Sequence, residues 1–321
     1  MLNKKIAFVF PGQGSQYLGM GKKLYDSHPE IKAIFQMADD VLGFKLSELC
    51  FNGPEDKLKL TENTQPAILL VSIAAYSYFK MRNGGINPDF LSGHSLGEYS
   101  ALVVSGSLKL EDALKLVRAR GKYMQEAVPV GEGAMAAVLG AEDNLIYDVC
   151  LEVTKNIGYV APANFNSPGQ IVISGKTEAV NKAIEMLKAK GVKRAVLLPV
   201  SAPFHSELMI EAAKKLQRDF EIVNVDALQI PVVSNVTGKP YESIDDVKKL
   251  LIEQITKPVR WVECVRYMHD NGVKYYVEIG PGKVLSGLIK RIYEDVNVYA
   301  MEHPSEIDSF LEIFQKEKYD A

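Results

Sequence analysis

A glycine–serine turn between two apolar segments constrains the fold of this 321-residue chain more than any other feature. Residues 93–97 read Gly-His-Ser-Leu-Gly, directly after the apolar pair Phe90-Leu91 and shortly before the apolar residues 101–104. The pattern G-x-S-x-G between a strand and a helix is typical of a nucleophile elbow, in which the glycines allow a tight turn and the serine stands at its apex. Backbone N–H groups at the start of the helix can then face a developing oxyanion. The alternative is a Gly/Ser turn in an ordinary β-α unit, because the pattern alone is common by chance.

A second junction of a strand with a glycine-rich loop lies near the start of the chain. Residues 6–10 are continuously apolar, which is typical of a strand buried on both faces of a parallel sheet. The glycine-rich residues 11–16 follow the strand, at the end where open α/β sheets bind ligands. They do not form a dinucleotide fingerprint, since Tyr17 stands where the third glycine of G-x-G-x-x-G would be. Apolar periodicity further predicts helices at 67–81, after Pro66, and at 110–126.

The pattern of elements changes between residues 128 and 199. Strands are predicted at 134–139, 159–164, 170–174 and 194–198, and helices at 143–155 and 177–190. The order βαββαβ is the ferredoxin-like pattern. We therefore predict an α/β fold in which residues 1–127 and 200–321 form a hydrolase-like main domain with a parallel sheet. Residues 128–199 are predicted to form an inserted ferredoxin-like subdomain.

Composition and charge limit the classes of function. The net charge is −3, so no overall positive field indicates nucleic-acid binding, and an acidic partner would need a local basic patch. The first apolar run is too short for a signal peptide, and no run approaches membrane-spanning length. Cys50, Cys150 and Cys264 lie far apart, without metal or disulfide spacing. We expect a cytoplasmic protein that binds no metal, nucleic acid or membrane.

A reactive serine needs a base, and the chain has five histidines. His94 adjoins Ser95, and neighbouring side chains diverge on so tight a turn, which makes His94 a poor base. His205 follows a predicted strand end and loop where the chain re-enters the main domain, so its imidazole could face the elbow. The alternative is an ordinary histidine at a helix terminus. No acidic residue between Ser95 and His205 follows a main-domain strand, which favours a Ser–His dyad oriented by a backbone group over a full triad.

Five segments of the chain together resemble the malonyl-CoA:acyl carrier protein transacylases of fatty-acid synthesis. They are FPGQGSQ at 10–16, GHSLGEY at 93–99, NFNSPGQ at 164–170, PFHS at 203–206 and EIGPGKVL at 278–285. Each is moderately specific, but the set is highly specific and follows the family's order from about residue 5 to 300. The resemblance implies a stand-alone enzyme of the bacterial type that uses malonyl-CoA and an acyl carrier protein.

The same resemblance implies the catalytic residues. Ser95 matches the family's nucleophile, and His205 matches its general base. Gln254 matches the residue whose backbone carbonyl orients the histidine, which agrees with the missing acid. Gln13 and Leu96 match the residues whose backbone N–H groups form the oxyanion hole.

An arginine is implied as the carboxylate-binding residue. Arg120 matches the family's arginine, and a guanidinium can hold a carboxylate through two parallel hydrogen bonds, which suits a malonyl group better than an acetyl group. The residues alone do not choose between Arg118 and Arg120. Phe204 departs from the small polar residue that bacterial members often carry before the histidine. We interpret it as narrowing the site against methylmalonyl groups.

These implications predict a ping-pong transfer through a malonyl-serine. The enzyme would bind no cofactor, with the coenzyme A thioester as its substrate. Because carrier proteins are usually acidic, Lys283, Lys290 and Arg291 are candidates for a basic docking patch, and the alternative is a solvated helix face. We expect a monomer.

Three other functions remain open at this point. A serine hydrolase or thioesterase acting on acyl-CoA has the same elbow, and a malonyltransferase serving a polyketide pathway would share every motif. A non-catalytic scaffold that binds acyl groups or coenzyme A would not need Ser95 and His205.

Overall fold

The structure, a computed structural model, describes residues 5–83, 85–200 and 202–319, with side chains to residue 314. The strands in these ranges are β1 (Lys5–Phe10), β2 (Phe90–Gly93), β3 (Gly133–Leu139), β4 (Val160–Ser167), β5 (Gln170–Lys176), β6 (Arg194–Leu197), β7 (Val232–Val233), β8 (Val273–Ile279) and β9 (Asn297–Met301).

The helices of the described residues connect and cover these strands. They are α1 (Lys22–Tyr25), α2 (Pro29–Leu42), α3 (Leu46–Asn52), α4 (Glu55–Leu58), α5 (Thr61–Arg82), α6 (Gly97–Val104), α7 (Leu110–Glu126), α8 (Asp143–Asn156), α9 (Thr177–Ala189), α10 (Ile210–Asp219), α11 (Ile244–Glu253), α12 (Trp261–Asp270), α13 (Val284–Ile292) and α14 (Pro304–Tyr319). Two short 3₁₀ segments occupy Glu207–Met209 and Phe220–Ile222. Within the described residues, no helix is long and apolar enough to cross a membrane.

The main sheet is parallel and has the strand order β7-β2-β1-β8-β9. Its central strand β1 is buried on both faces, as the continuous apolar run predicts. Phe8 and Phe10 belong to one apolar cluster, while Ala7 and Val9 belong to another on the opposite face. The carboxyl ends of β1 and β2 therefore lie side by side, which brings the loop at 11–16 next to the elbow.

The second sheet is antiparallel, with the order β4-β5-β3-β6. Helices α8 and α9 pack on it and share a separate apolar core with its strands. This is the predicted ferredoxin-like arrangement, and all six of its elements lie within a few residues of their expected positions. The sheet meets the main domain where Phe165 N donates to Val259 O at 2.9 Å.

Helix α5 differs from its prediction by beginning six residues earlier, at Thr61 rather than 67. A proline is unfavourable inside a helix, so the sequence indicated a start after Pro66. The polar first turn is instead held by the preceding segment: Asn63 Nδ2 donates to Lys57 O at 2.9 Å, and Thr64 Oγ1 donates to Leu58 O at 2.6 Å.

Candidate active site

The elbow is the strand–turn–helix that the sequence predicts. Strand β2 ends at Gly93, helix α6 begins at Gly97, and Ser95 between them has a φ of 52°. A Cβ on Gly93 would lie 2.0 Å from the carbonyl carbon of Gly97, and one on Gly97 would lie 2.0 Å from Phe10 O. Because no real Cβ makes contacts this short, Gly93 is required for the turn to close on the start of α6, and Gly97 is required for the turn to pack against β1.

Ser95, His205 and Gln254 form a hydrogen-bonded chain. Ser95 Oγ lies 2.8 Å from His205 Nε2, and His205 Nδ1 lies 2.7 Å from the backbone O of Gln254. A carbonyl only accepts, so Nδ1 carries the proton of the neutral ring and the lone pair of Nε2 faces the serine hydroxyl. This arrangement can take a proton from Ser95 without a carboxylate partner.

The environment of His205 keeps its imidazole neutral. The side chain is buried, and its φ of 56° turns it towards the elbow. Burial lowers the pKa of His205 to about 3, and the positive charge of Arg120 contributes in the same direction. The ring is therefore available as a proton acceptor at neutral pH.

Arg120 is a buried cation beside the serine. It lies on α7 with 1% of its surface exposed. Its Nη1 donates to Gln65 Oε1 at 2.8 Å, and its Nη2 donates to Gln254 Oε1 at 2.7 Å and to Ser95 Oγ at 3.1 Å. All three partners are neutral, and no described carboxylate lies within 4.0 Å of the guanidinium. A buried charge without an ion-pair contact favours an anion at this point, next to Ser95.

Arg118, the other candidate, points elsewhere. Its Nη1 donates to Leu42 O at 3.3 Å, and its Cζ lies 4.0 Å from the centroid of the Phe44 ring. The geometry therefore brings Arg120, and not Arg118, to Ser95.

Two backbone amides near Ser95 can serve an oxyanion. His94 N donates to Phe10 O at 3.1 Å, which holds the glycine-rich loop against the elbow. Gly12 allows this approach, because a Cβ there would lie 2.4 Å from His94 O. Among residues 5–83, 85–200 and 202–319, the amides of Gln13 and Leu96 have no hydrogen-bond partner. Leu96 follows Ser95 directly and Gln13 lies in the loop held against the elbow, so both amides remain available as donors.

His94 links the elbow to the second sheet. Its Nε2 lies 2.8 Å from Asn166 Oδ1 on β4, and its ring centroid lies 5.9 Å from that of Trp261. Through these contacts His94 packs against Trp261 and is hydrogen-bonded to the second sheet. Phe204, beside the histidine in sequence, is buried.

A buried acidic cluster behind the dyad was missed by the sequence reasoning. Glu98 is fully buried and accepts hydrogen bonds from Tyr241 OH, from Gln254 Nε2 and, at 3.2 Å, from Asn235 N. Asn235 Oδ1 in turn accepts from Ser95 N at 2.7 Å. The only sequence signal was the position of Glu98 inside the elbow motif.

The three candidate docking residues make local contacts at and near α13. Lys283 Nζ pairs with Glu306 at 3.1 Å, and Arg291 Nη1 donates to Gln170 Oε1 at 2.6 Å. Lys290 Nζ donates to Val296 O at 2.5 Å. The three charged side chains therefore lie on α13 and on the residue that precedes it, and each has a hydrogen-bond or ion-pair partner within the protein.

The sequence of residues 7–307 matches the family model of the acyl transferase domain. The chain belongs to this family. The malonyl CoA-acyl carrier protein transacylase of Bacillus subtilis is 48% identical and is aligned over 99% of both chains.

Solved structures of acyl transferases agree. The malonyl CoA-acyl carrier protein transacylase of Clostridium perfringens superposes with a TM-score of 0.94 at 42% identity, over 98% of each chain. A malonyl-transacylase in complex with its type II PKS acyl-carrier protein superposes with a TM-score of 0.93 at 44% identity, over 96% of this chain and 99% of that one. The resemblance read from the five sequence segments, the fold class and the assignment as an acyltransferase are confirmed.

Proposed function

We propose that this acyltransferase moves the malonyl group of malonyl-CoA to the phosphopantetheine thiol of an acyl carrier protein, through a malonyl ester of Ser95. The observation that carries the proposal is the buried cation of Arg120, whose Nη2 lies 3.1 Å from Ser95 Oγ. A carboxylate on the acyl group would supply the missing counterion at that point. The names of the similar transacylases support the same substrate and acceptor.

In the first half-reaction the thioester is cleaved. His205 Nε2 takes the Ser95 proton as Oγ forms a bond to the thioester carbonyl carbon, and the amides of Gln13 and Leu96 hold the oxyanion. Loss of one such donor typically lowers the rate by about 10²–10³-fold. The C–S bond then breaks, and the proton on Nε2 passes to the leaving thiolate of coenzyme A. The Gln254 carbonyl holds the imidazolium while it exists.

In the second half-reaction the roles are reversed. The phosphopantetheine thiol gives its proton to His205 Nε2, and its sulfur attacks the ester carbonyl. The ester bond breaks, and Ser95 Oγ recovers the proton from the imidazolium. Arg120 holds the malonyl carboxylate in both steps, so it also selects the acyl group.

Two related functions use the same dyad. A hydrolase or thioesterase would replace the thiol by water, and it has no need for a buried, uncompensated cation beside the serine. A malonyltransferase of a polyketide pathway would differ only in its carrier protein, and the complex named above shows that a transacylase of this fold serves such a carrier. We propose fatty-acid synthesis as the pathway, with transfer assays on both classes of carrier as the deciding comparison.

Intact-mass measurement after denaturation tests the acyl-enzyme. Wild-type protein mixed with malonyl-CoA is expected to gain one malonyl group and to lose it when carrier protein is added. Ser95→Ala is expected to gain none, and Ser305→Ala, an exposed serine of α14, serves as the matched control. A malonyl adduct on Ser95→Ala, or turnover by water as fast as transfer to the carrier, would refute the proposal.

We further propose that the carrier protein docks at Lys283, Lys290 and Arg291. A basic patch complements an acidic carrier and makes binding sensitive to salt. Charge reversal by Lys290→Glu and Arg291→Glu is expected to raise KM for carrier protein and to leave malonyl-enzyme formation unchanged. Unchanged KM and unchanged salt dependence in the double variant would place docking elsewhere.

The remaining expectations concern organisation. We propose that residues 1–127 and 200–321 act as the main domain and 128–199 as the insertion. We also propose that the enzyme works as a cytoplasmic monomer without a bound cofactor.

A further inference from the structure

We propose that Glu98 is a positioning residue of the transfer reaction: its carboxyl holds the side-chain amide of Gln254 in one orientation, and through it fixes the malonyl selectivity of Arg120. The inference rests on the proposed function, because it concerns how the carboxylate-binding cation is held. Glu98 makes no hydrogen bond to Ser95 Oγ or to the His205 ring and takes no part in the steps derived above.

The surroundings of Glu98 are unusual for a carboxyl group. It is fully buried in the first turn of α6, three residues after the nucleophile, and all its hydrogen-bond donors are neutral. One oxygen, Oε2, accepts from Gln254 Nε2 and from Asn235 N, while Oε1 accepts from Tyr241 OH. Burial raises the pKa of Glu98, and these hydrogen bonds oppose the rise. Because burying a carboxyl group is unfavourable, we expect Glu98 to have a role through the contacts of its hydrogen-bond donors.

The contacts of the Gln254 amide indicate that role. An amide has one accepting end and one donating end. Here Nε2 faces Glu98, so Oε1 faces the guanidinium and accepts from Arg120 Nη2 at 2.7 Å. In the flipped orientation the NH₂ group would face the guanidinium, donor against donor, and Oε1 would face the carboxyl oxygen of Glu98. The carboxyl of Glu98 therefore reinforces the orientation that supports Arg120, in the same direction as Ser95 O.

Gln254 also joins this contact to the rest of the site. Its Nε2 donates to Ser95 O at 3.0 Å, and its backbone O accepts from His205 Nδ1. A single residue thus touches the nucleophile, the base and the cation, and Glu98 is the side chain that, together with Ser95 O, holds its amide. Without Glu98, Nε2 keeps only the longer contact to Ser95 O, so the amide is held less firmly and the 2.7 Å hydrogen bond from Arg120 Nη2 weakens.

Three substitutions of Glu98 distinguish the effect of its accepting oxygen from the effects of its charge and its size. Glu98→Leu removes the acceptor, and Glu98→Asp keeps the carboxyl but withdraws it by one methylene. Glu98→Gln keeps an oxygen for Gln254 and Asn235, with its NH₂ towards Tyr241 Oη, which can accept. We expect the ratio of kcat/KM for malonyl-CoA to that for acetyl-CoA to fall about tenfold in the Leu and Asp variants, as for one lost hydrogen bond to a charged group. The fall should appear mainly in KM for malonyl-CoA, and Glu98→Gln should retain most of the ratio.

A double-mutant cycle identifies the path of the effect. Gln254→Leu removes the amide, so Glu98→Asp in that background should lower the ratio no further, since contacting residues acting through one path are not additive. Tyr241→Phe is the matched control: it removes the donor to Oε1 and leaves the Gln254 contact, so the ratio should not change.

The proposal is overturned if folded Glu98→Asp keeps the wild-type ratio, if Glu98→Gln loses as much as Glu98→Asp, or if the cycle is additive. It is also overturned if Tyr241→Phe lowers the ratio equally, because a general disturbance of the cluster would then explain the loss. Should Glu98→Leu fail to fold, the Asp and Gln variants decide. Failure of the proposed function is distinguishable, since the wild-type enzyme would then form no malonyl adduct.

Discussion

Replacement of Arg120 by alanine tests the carboxylate-binding role directly. The guanidinium is buried and hydrogen-bonded to neutral partners, and Glu98 acts on it without an ion-pair contact, so the malonyl carboxylate would be its directly paired counterion. Removing one partner of a buried, hydrogen-bonded ion pair typically costs about 3–5 kcal/mol. For Arg120→Ala this corresponds to a loss of roughly 10²–10⁴-fold in kcat/KM for malonyl-CoA.

Acetyl-CoA should respond differently, because its acyl group has no carboxylate to lose. The change also frees Ser95 Oγ from the Nη2 hydrogen bond and removes the positive charge that helps to lower the pKa of His205. We therefore expect acetyl transfer to be unchanged or faster.

Single-turnover acylation, followed by quenching and intact-mass analysis, measures both donors on the same enzyme. Arg118→Ala is the matched control, because its guanidinium contacts Leu42 O and the Phe44 ring instead of the site. Circular dichroism establishes that each variant is folded. Equal losses for malonyl-CoA and acetyl-CoA in folded Arg120→Ala would refute the carboxylate-binding role.

Two further predictions concern pH and packing. Because burial and Arg120 lower the pKa of His205 to about 3, the base stays neutral and kcat/KM should be level from about pH 8 to about pH 5. An enzyme whose base had the ordinary histidine pKa would instead lose activity below about pH 6.5. The folded-state pKa lies below the unfolded value, so the stability that His205 contributes is complete above about pH 6.5 and is lost as pH falls towards 3. An acid limb near pH 6.5 in the folded enzyme would contradict this account. Gly97→Ala should lower Tm sharply or prevent folding, because its Cβ would lie 2.0 Å from Phe10 O, whereas Gly287→Ala on α13 meets nothing within 4 Å. Similar Tm values for the two variants would show that the elbow can relax.

Local patterns predicted much of the fold. The buried strand β1, the elbow and helix α7 were read from apolar runs and periodicity, since each is determined by residues close in sequence. The subdomain was predicted for the same reason, as its six elements follow one another with clear turn signals. The start of α5 was wrong, because its polar first turn is stabilised by contacts with 57 and 58 that no local pattern shows.

In the candidate site too, residues marked by a local motif could be predicted and residues that act through distant contacts could not. Ser95 is marked by its own motif, and His205 was a candidate from its position after a predicted strand end before the resemblance assigned it. Gln254 and Arg120 were assigned by resemblance, and the structure brings all of them together. Glu98 was missed because its hydrogen-bond donors come from residues more than 130 positions later, and local sequence patterns do not predict contacts over such separations.

The backbone conformation of Ser95 and His205 is energetically unfavourable. In the described part of the chain these are the two non-glycine residues with positive φ, at 52° and 56°. A left-handed conformation costs an ordinary residue roughly 1–2 kcal/mol, and glycine adopts it freely. A glycine at either position would relieve the strain and delete a reactive group in the same step. Selection for thermal stability alone would therefore drive this enzyme towards inactivity at the two residues that its chemistry needs most.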